Sequence, residues 1–324
     1  MSPARRVDPR PDGPIVALCG GVGAARLLRG LVRAVPAEQI VAIVNTGDDH
    51  EFYGVHVSPD LDIVTYTLAG VVDGTLGYGL AGDTFQLVDA LAKLGHETWF
   101  RLGDRDFAQC LHRTLRLREG QGLARITDEI RRHHALALRL VPMSEAPCPT
   151  LVELSDGRRM HFEDYMIREG APDAVARVDL GAAACAKPAP GVLEALAAAR
   201  AIIVCPSNPV VSIGPILAVA GVREALAKRR CPAVAISPIV GGAAVKGPAS
   251  QLLRGLGVEV SAVGVARHYA DWIDGFVIDE RDRALEAEIA ALGLRVGVTD
   301  SMMVDASASE RVARAALALA DVQP

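Results

Sequence analysis

The chain has 324 residues, half of them hydrophobic and only 4% aromatic, with a formal net charge of −5. That length supports one large or two small domains, and an apolar bulk of Ala, Val, Leu and Gly fits an α/β enzyme better than a β-sandwich. The acidic balance argues against nucleic acid or a membrane surface as a partner.

Residues 1–13, MSPARRVDPRPDG, are polar and Pro-rich with no apolar signal-type stretch, and read as a disordered arm. Residues 14–324 read as a single α/β domain. IVALC (15–19) is the first strand and ends in GGVG; AARLLRGLVRAV then has helical spacing. VAIVN (41–45) is the second strand, and LDIVTYTLAG reads as a helix with Asp60 near its N-cap. TFQLVDALAKLG and DFAQCLHRTLRL read as helices opened by Asp83 and Asp104 respectively. ARITDEIRRHHAL is another helix, and LALRLVP (136–142) a strand. TLVELSDGRRMHF carries a turn signal at Asp156-Gly157 and reads as a hairpin, part of an excursion from the main sheet over about 143–182. AIIVCP (201–206), PAVAISP (232–238), SAVGVA (261–266), GFVIDE (275–280) and LRVGVT (294–299) read as strands with helices between, and SASERVARAALALA as the last helix.

This alternation predicts a Rossmann-like, doubly wound, mainly parallel sheet with helices on both faces and a β-hairpin/helical excursion. No apolar run approaches about 18 residues without charge, so no membrane span is expected. The six cysteines, none in a CxxC pair, read as reduced, buried thiols of a cytoplasmic protein.

Ligands of such sheets bind beyond the carboxyl ends of the strands, and four strands there run into Gly-, Pro- or small-polar-rich loops. The first is Gly20-Gly21-Val22-Gly23, either a tight strand–helix turn or an amide cradle for an anion, with Arg26 one turn on to reach a phosphate. It is neither GxGxxG nor a P-loop. The second is the stretch Asn45–Asp62, with four aspartates and one glutamate in eighteen residues. Thr46 lies in it beside Asp48 and Asp49; Asp60 and Asp62 follow. Clustered carboxylates repel unless a cation compensates, and hard oxygen ligands suit Mg²⁺. One of them could equally serve as a general base. The third, Pro206-Ser207-Asn208-Pro209 with Ser212 and Gly214, offers uncharged hydrogen bonds to a base, a ribose or phosphate oxygens. The fourth holds Ser237, Gly241, Gly242 and Lys246, the lysine being either a phosphate contact or a solvated side chain. No zinc spacing and no nucleophile motif appears.

GGVGAARLL, NTGDD…SPDLD, GDTF, LGDRD, PSNPVVSIGPI, SPIVGG…KGPA and FVIDERDRA follow in that order from residue 20 to 284. Together they resemble the 2-phospho-L-lactate transferase family of coenzyme F-420 biosynthesis. The resemblance implies a magnesium-dependent transfer of a phosphorylated three-carbon acid (lactyl, enolpyruvyl or glyceryl) from its guanosine-diphosphate donor to the terminal ribityl hydroxyl of the deazaflavin Fo. GMP is released. It also implies small-molecule substrates and a homodimer. On this reading Asp49 and Asp62, with Asp48 or Asp60, hold Mg²⁺ and orient the hydroxyl, and Asp49 contacts Fo. Thr84 and Phe85 line the deazaflavin pocket, and Ser207 and Asn208 hold the guanosine side. Arg26 stands where some members carry Lys, and Val88 where some carry a basic residue. A sister group, the gluconeogenesis-factor-like proteins, binds nucleotide sugars on the same scaffold as regulators; its acidic loop continues as Gly-Gly-Ser-Ser. HEFYG follows Asp49 here, which favours the transferase.

Overall fold

The computed structural model describes residues 12–323, so the expected arm lies almost wholly outside the described residues. In chain order, β1 (Ile15–Cys19) runs into α1 (Gly21–Ala34) and β2 (Ile40–Val44). A short hairpin follows, β3 (His50–Phe52) and β4 (Val55–Val57), and then α2 (Pro59–Leu68), α3 (Gln86–Lys93), α4 (Asp104–Arg118), α5 (Leu123–His133) and β5 (Arg139–Pro142). The excursion holds β6 (Leu151–Leu154), β7 (Arg159–His161) and β8 (Val175–Asp179). The chain returns through α6 (Gly181–Cys185) and α7 (Val192–Ala198) to β9 (Ala201–Val204), then α8 (Gly214–Ala218), α9 (Val222–Ala227) and β10 (Ala233–Ile236). A small ribbon, β11 (Ile239–Val240) with β12 (Ala243–Ala244), precedes α10 (Ala249–Gly255) and α11 (Ala262–Tyr269). The chain ends with β13 (Gly275–Asp279), α12 (Glu286–Ala291), β14 (Arg295–Thr299) and α13 (Ala306–Leu319).

The central sheet has seven strands in the order β5-β2-β1-β9-β10-β13-β14, and every neighbouring pair is parallel. This is the expected Rossmann-like α/β fold. Every residue of β1, β2, β9, β10 and β13 is buried, as helices on both faces of a parallel sheet require. The period of two divides each strand between the layers. Ile15, Ala17 and Cys19 join Leu27, Leu28 and Leu31 of α1 and Val312, Ala316 and Leu317 of α13 in one core. Val16 and Leu18 join Leu196, Ile216, Val222 and Val263 in the other. The strand order reverses between β1, which pairs with β2, and β9, which begins the run to β14. Ligand crevices in open α/β sheets form at such a reversal.

The excursion is a three-stranded antiparallel sheet in the order β7-β6-β8, with Gly157 at φ 86 in the turn that joins β6 and β7. Four expectations are corrected. SAVGVA is not a strand: Ser261 caps α11 by accepting the Gly264 amide at 3.0 Å, and Ala262, Val263, Val265 and Ala266 are all buried. A short apolar run satisfies either periodicity, and the cap decides. Asp83 and Asp104 do not open their own helices. Asp104 accepts from the Gln86 and Leu87 amides at the start of α3, and Asp83 from the Arg105 and Asp106 amides at the start of α4, so each caps the other's helix. The acidic stretch is not all loop, since β3 and β4 pair through Tyr53 and Gly54, both at positive φ. That is the two-residue turn matching strand twist, with Tyr in place of the usual Asn. Finally, Cys185 is exposed, while the other five cysteines are buried; all six are free thiols. Among the described residues no helix is long and apolar enough to cross a membrane.

Candidate active site

A cavity of about 600 Å³ opens at the carboxyl ends of β1 and β9, where the strand order reverses. All four sequence-marked loops contribute to its wall. The Ser207 hydroxyl accepts from the Gly20 amide at 3.2 Å and donates to the Gly20 carbonyl at 2.7 Å, so the loops after β1 and β9 are locked together. A Cβ on Gly20 would lie 2.5 Å from the Cβ of Ser212 and 2.7 Å from Oδ2 of Asp60, and one on Gly23 would lie 2.3 Å from the Pro206 carbonyl oxygen. These glycines are required by close backbone approach. Gly21 has φ 68, and its amide is engaged by Asp60. The α1 N-terminus is therefore answered in part by a carboxylate of the chain itself.

Asn45 organises the acidic side. Its Nδ2 donates to Asp60 Oδ2 at 2.9 Å and to the Val211 carbonyl at 3.2 Å, and its Oδ1 accepts from the Gly47 amide. Asp60 is not the N-cap of α2, a place held by Ser58. Asp48, Asp60 and Glu163 are 4%, 5% and 3% exposed and all line the cavity. Burial pushes Asp60 up to about 7 against the opposing hydrogen bonds from Asn45 and Gly21. Burial, then the charges of Asp60, Asp164 and Asp49, push Glu163 up to about 8. Burial, then the charges of Asp60, Glu163 and Asp49, raise Asp48 well above the usual carboxylate range, and its Oδ1 has no partner. None of these three carboxylates has an arginine or lysine partner among the described residues. The buried, unpartnered Asp48 Oδ1 would suit a small divalent cation, whereas the one trio among the described residues whose ligand atoms lie within 4.8 Å of one another is Asp62, Asp106 and Cys110.

The remaining aspartates differ. Asp62 is paired with Arg113, which is 1% exposed on α4; Nη1 donates to its Oδ2 at 3.1 Å and Gln109 to its Oδ1 at 2.8 Å. Its neighbour Asp106, bonded by the Tyr66 hydroxyl at 2.8 Å, is pushed up to about 7 by burial and by the charge of Asp62. Asp49 is not on the cavity wall. Its Oδ2 accepts from Ser58 Oγ at 2.8 Å and meets His56 Nε2 at 2.9 Å, while its Oδ1 has no partner.

Of the other sequence-marked residues, Gly20, Gly21, Gly23, Arg26, Phe85, Ser207, Asn208, Ser212 and Ser237 line the cavity. Thr46, Thr84, Gly214 and Gly241 do not. Thr46 is buried with an unpartnered Oγ1. Thr84 donates to Asp104, and Gly214 begins α8. The Gly241 amide is held by Asp282 at 3.1 Å. Sequence reading missed Glu163, which arrives from the excursion, and the aromatic wall. Phe100 stacks on Phe52 with centroids 3.7 Å apart, Trp99 meets Phe52 edge-on, and Arg101 lies 4.6 Å over Phe85. Phe85, Trp99 and Phe100 face the cavity. Val88 packs behind them with Phe52, Val57 and Leu102. The WF pair was visible as the sole adjacent aromatic pair near GDTF, but nothing local tied it to the acidic loop.

The wall thus has a carboxylate corner, an aromatic face and a glycine turn, which suits a flat aromatic ring and a phosphorylated ligand held together. Residues 15–315 match the family model described as 2-phospho-L-lactate transferase CofD. A protein of Kitasatospora aureofaciens named phosphoenolpyruvate transferase is 46% identical over 95% of this chain and 98% of its own. One of Methanosarcina mazei named 2-phospho-L-lactate transferase is 39% identical over 92% of this chain and 98% of its own. Among solved structures, protein BH3568 of Bacillus halodurans covers 94% of this chain and 99% of its own with a TM-score of 0.59 at 21% identity, a likeness of fold alone.

Proposed function

The chain belongs to the 2-phospho-L-lactate transferase CofD family, a family of transferases, and from that premise we propose that it makes the phosphodiester of the F-420 precursor. The terminal ribityl hydroxyl of Fo attacks the outer phosphorus of a guanosine-diphosphate-linked three-carbon acid. A new P–O bond forms to the ribityl oxygen, the bond to the bridging oxygen breaks, and GMP leaves with that oxygen. The hydroxyl proton passes to water beside the carboxylate corner, whose negative charge favours its departure. The observation that carries this reading is that corner: Asp48, Asp60 and Glu163, buried together without a cation of the protein and with one oxygen unpartnered.

Those three residues would hold Mg²⁺, which neutralises charge on the transferring phosphate when bound. Asp62 is not in that set, because Arg113 already compensates it. Asp49, fixed by His56 and Ser58, positions the loop that carries Asp48. Phe85, Trp99 and Phe100 form the face on which the deazaflavin stacks, and Ser207 and Asn208 take the nucleotide side. Phosphoryl transfer needs positioning and charge neutralisation more than covalent chemistry, which fits a wall with no activated nucleophile. We take the enolpyruvyl compound as the preferred donor, supported by relatives named for phosphoenolpyruvate at 46% identity against 39% for the Methanosarcina mazei relative named for phospho-lactate. A reducing, cytoplasmic location is supported by six free thiols, and the homodimer rests on the family resemblance.

The test is GMP release by purified protein with Fo, Mg²⁺ and each of the lactyl, enolpyruvyl and glyceryl donors. Release that needs both Fo and Mg²⁺, fastest with the enolpyruvyl donor, is expected. Nucleotide-sugar binding without Fo-dependent release would replace this reading with the regulatory one.

A further inference from the structure

Three cationic side chains line the cavity: Arg26, Arg101 and Lys246. Arg101 is paired with Asp89 at 2.7 Å. Among the described residues Arg26 and Lys246 have no carboxylate partner, although the cavity wall itself carries several carboxylates. Lys246 sits on the loop between β12 and α10, and its Nζ is 3.5 Å from the Leu76 carbonyl oxygen and 5.9 Å from the Tyr78 ring centroid. Both contacts are long and weak, so a better partner displaces them easily. The two cations also feel each other: partial burial, then the charge of Arg26, hold the Lys246 ammonium below its ordinary range. Like charges kept unpaired in one cavity are relieved by an anion that spans them. Arg26 and Lys246 are the two lining cations that no carboxylate of the wall pairs, so that anion binds beside them.

We infer that Lys246 and Arg26 clamp a diphosphate between the loop after β12 and the first turns of α1, which makes Lys246 a donor-binding residue that moves off Leu76 and Tyr78 when the donor enters. Two separated cations favour two linked phosphates over one, so the clamp distinguishes the diphosphate donor from the departing GMP and eases product release. The inference deepens the proposed function and rests on it for the identity of the nucleoside.

The test measures binding of GDP, GMP and inorganic pyrophosphate by calorimetry to wild type, Lys246→Gln and Lys246→Arg, with Fo binding as a control. Lys246 is exposed, so both variants keep the wild-type melting temperature. A lost charged hydrogen bond predicts a roughly 10–100-fold weaker GDP affinity in Lys246→Gln. GMP and Fo stay within about twofold, and Lys246→Arg recovers most of the loss because its charge still reaches phosphate. Equal losses for GDP and GMP, or no loss for GDP, would overturn the clamp while leaving the transferase reading intact. If wild type binds no guanosine nucleotide, the donor assignment falls and pyrophosphate decides the clamp. Pyrophosphate affinity that drops in Lys246→Gln upholds it; affinity that is unchanged, or absent in wild type, overturns it.

Discussion

Asp60 and Asp62 are separated by one residue on α2, yet Asp62 meets a guanidinium while Asp60 meets Asp48 and Glu163. Both are 5% exposed. In the Asp62 group Arg113 spans Asp62, Gln109 adds a bond, and Asp106, held by Tyr66, is still pushed up to about 7 by burial and by the charge of Asp62. The Asp60 group has no arginine or lysine partner among the described residues, and burial first, then neighbouring carboxylates, raises its proton affinities. Burial therefore does not separate a carboxylate paired by the chain from one that is not. What separates them is whether the fold provides the countercharge or leaves it to a ligand.

This contrast yields four tests. The largest effect is expected from Asp48→Asn, which keeps the shape and removes a charge from the uncompensated corner. GMP release drops about 10²–10³-fold with no loss of thermal stability, and a variant of near wild-type rate would remove the corner from the mechanism. Arg113→Ala acts on the compensated group. Leaving Asp62 buried and unpaired costs about 3–5 kcal/mol, read as a lower midpoint in denaturant; an unchanged midpoint would show that Asp62 needs no counterion.

The third test uses pH. Asp60 and Glu163 titrate at about 7 and about 8 in the folded protein, above the unfolded carboxylate range near 4. The native state therefore binds protons that the unfolded chain has already released. Their contribution favours folding at low pH and is lost as pH rises from about 4 through 8. In a chelator the melting temperature falls by on the order of 5 °C between pH 5.5 and 8.5, Mg²⁺ restores it, and Glu163→Gln flattens the fall. A chelated protein that grows more stable over that range contradicts the uncompensated corner. The smallest effect belongs to the crossed caps beside the aromatic wall. Asp83→Ala leaves the Arg105 and Asp106 amides unpaired and costs about 1–2 kcal/mol, seen in calorimetry as a modestly lower melting temperature with the GMP-release rate little changed.

The parallel character of the sheet was readable because fully apolar runs such as IVALC, IVAIV and AIIV are buried on both faces in such a sheet. With that came the rim at which loops gather, and so Gly20, Asp48, Asp60, Ser207 and Ser212 fell on one cavity. SAVGVA misled because a short run of small, mostly apolar residues carries no decisive period, and the hydroxyl of its first residue, Ser261, fixed the helix. Each capping aspartate was visible, but its helix was not, because Asp83 and Asp104 act across about twenty residues of chain.

The sequence by itself determined the sheet, the loops at its rim and the crowding of carboxylates between Asn45 and Asp62, since these follow from local composition and periodicity. Only the tertiary structure decided which of those carboxylates are free. Arg113 comes from α4 to neutralise Asp62, and Glu163 comes from the excursion to join Asp48 and Asp60. Electrostatic energy depends on distance in space, and neither approach has any trace in the spacing of residues along the chain.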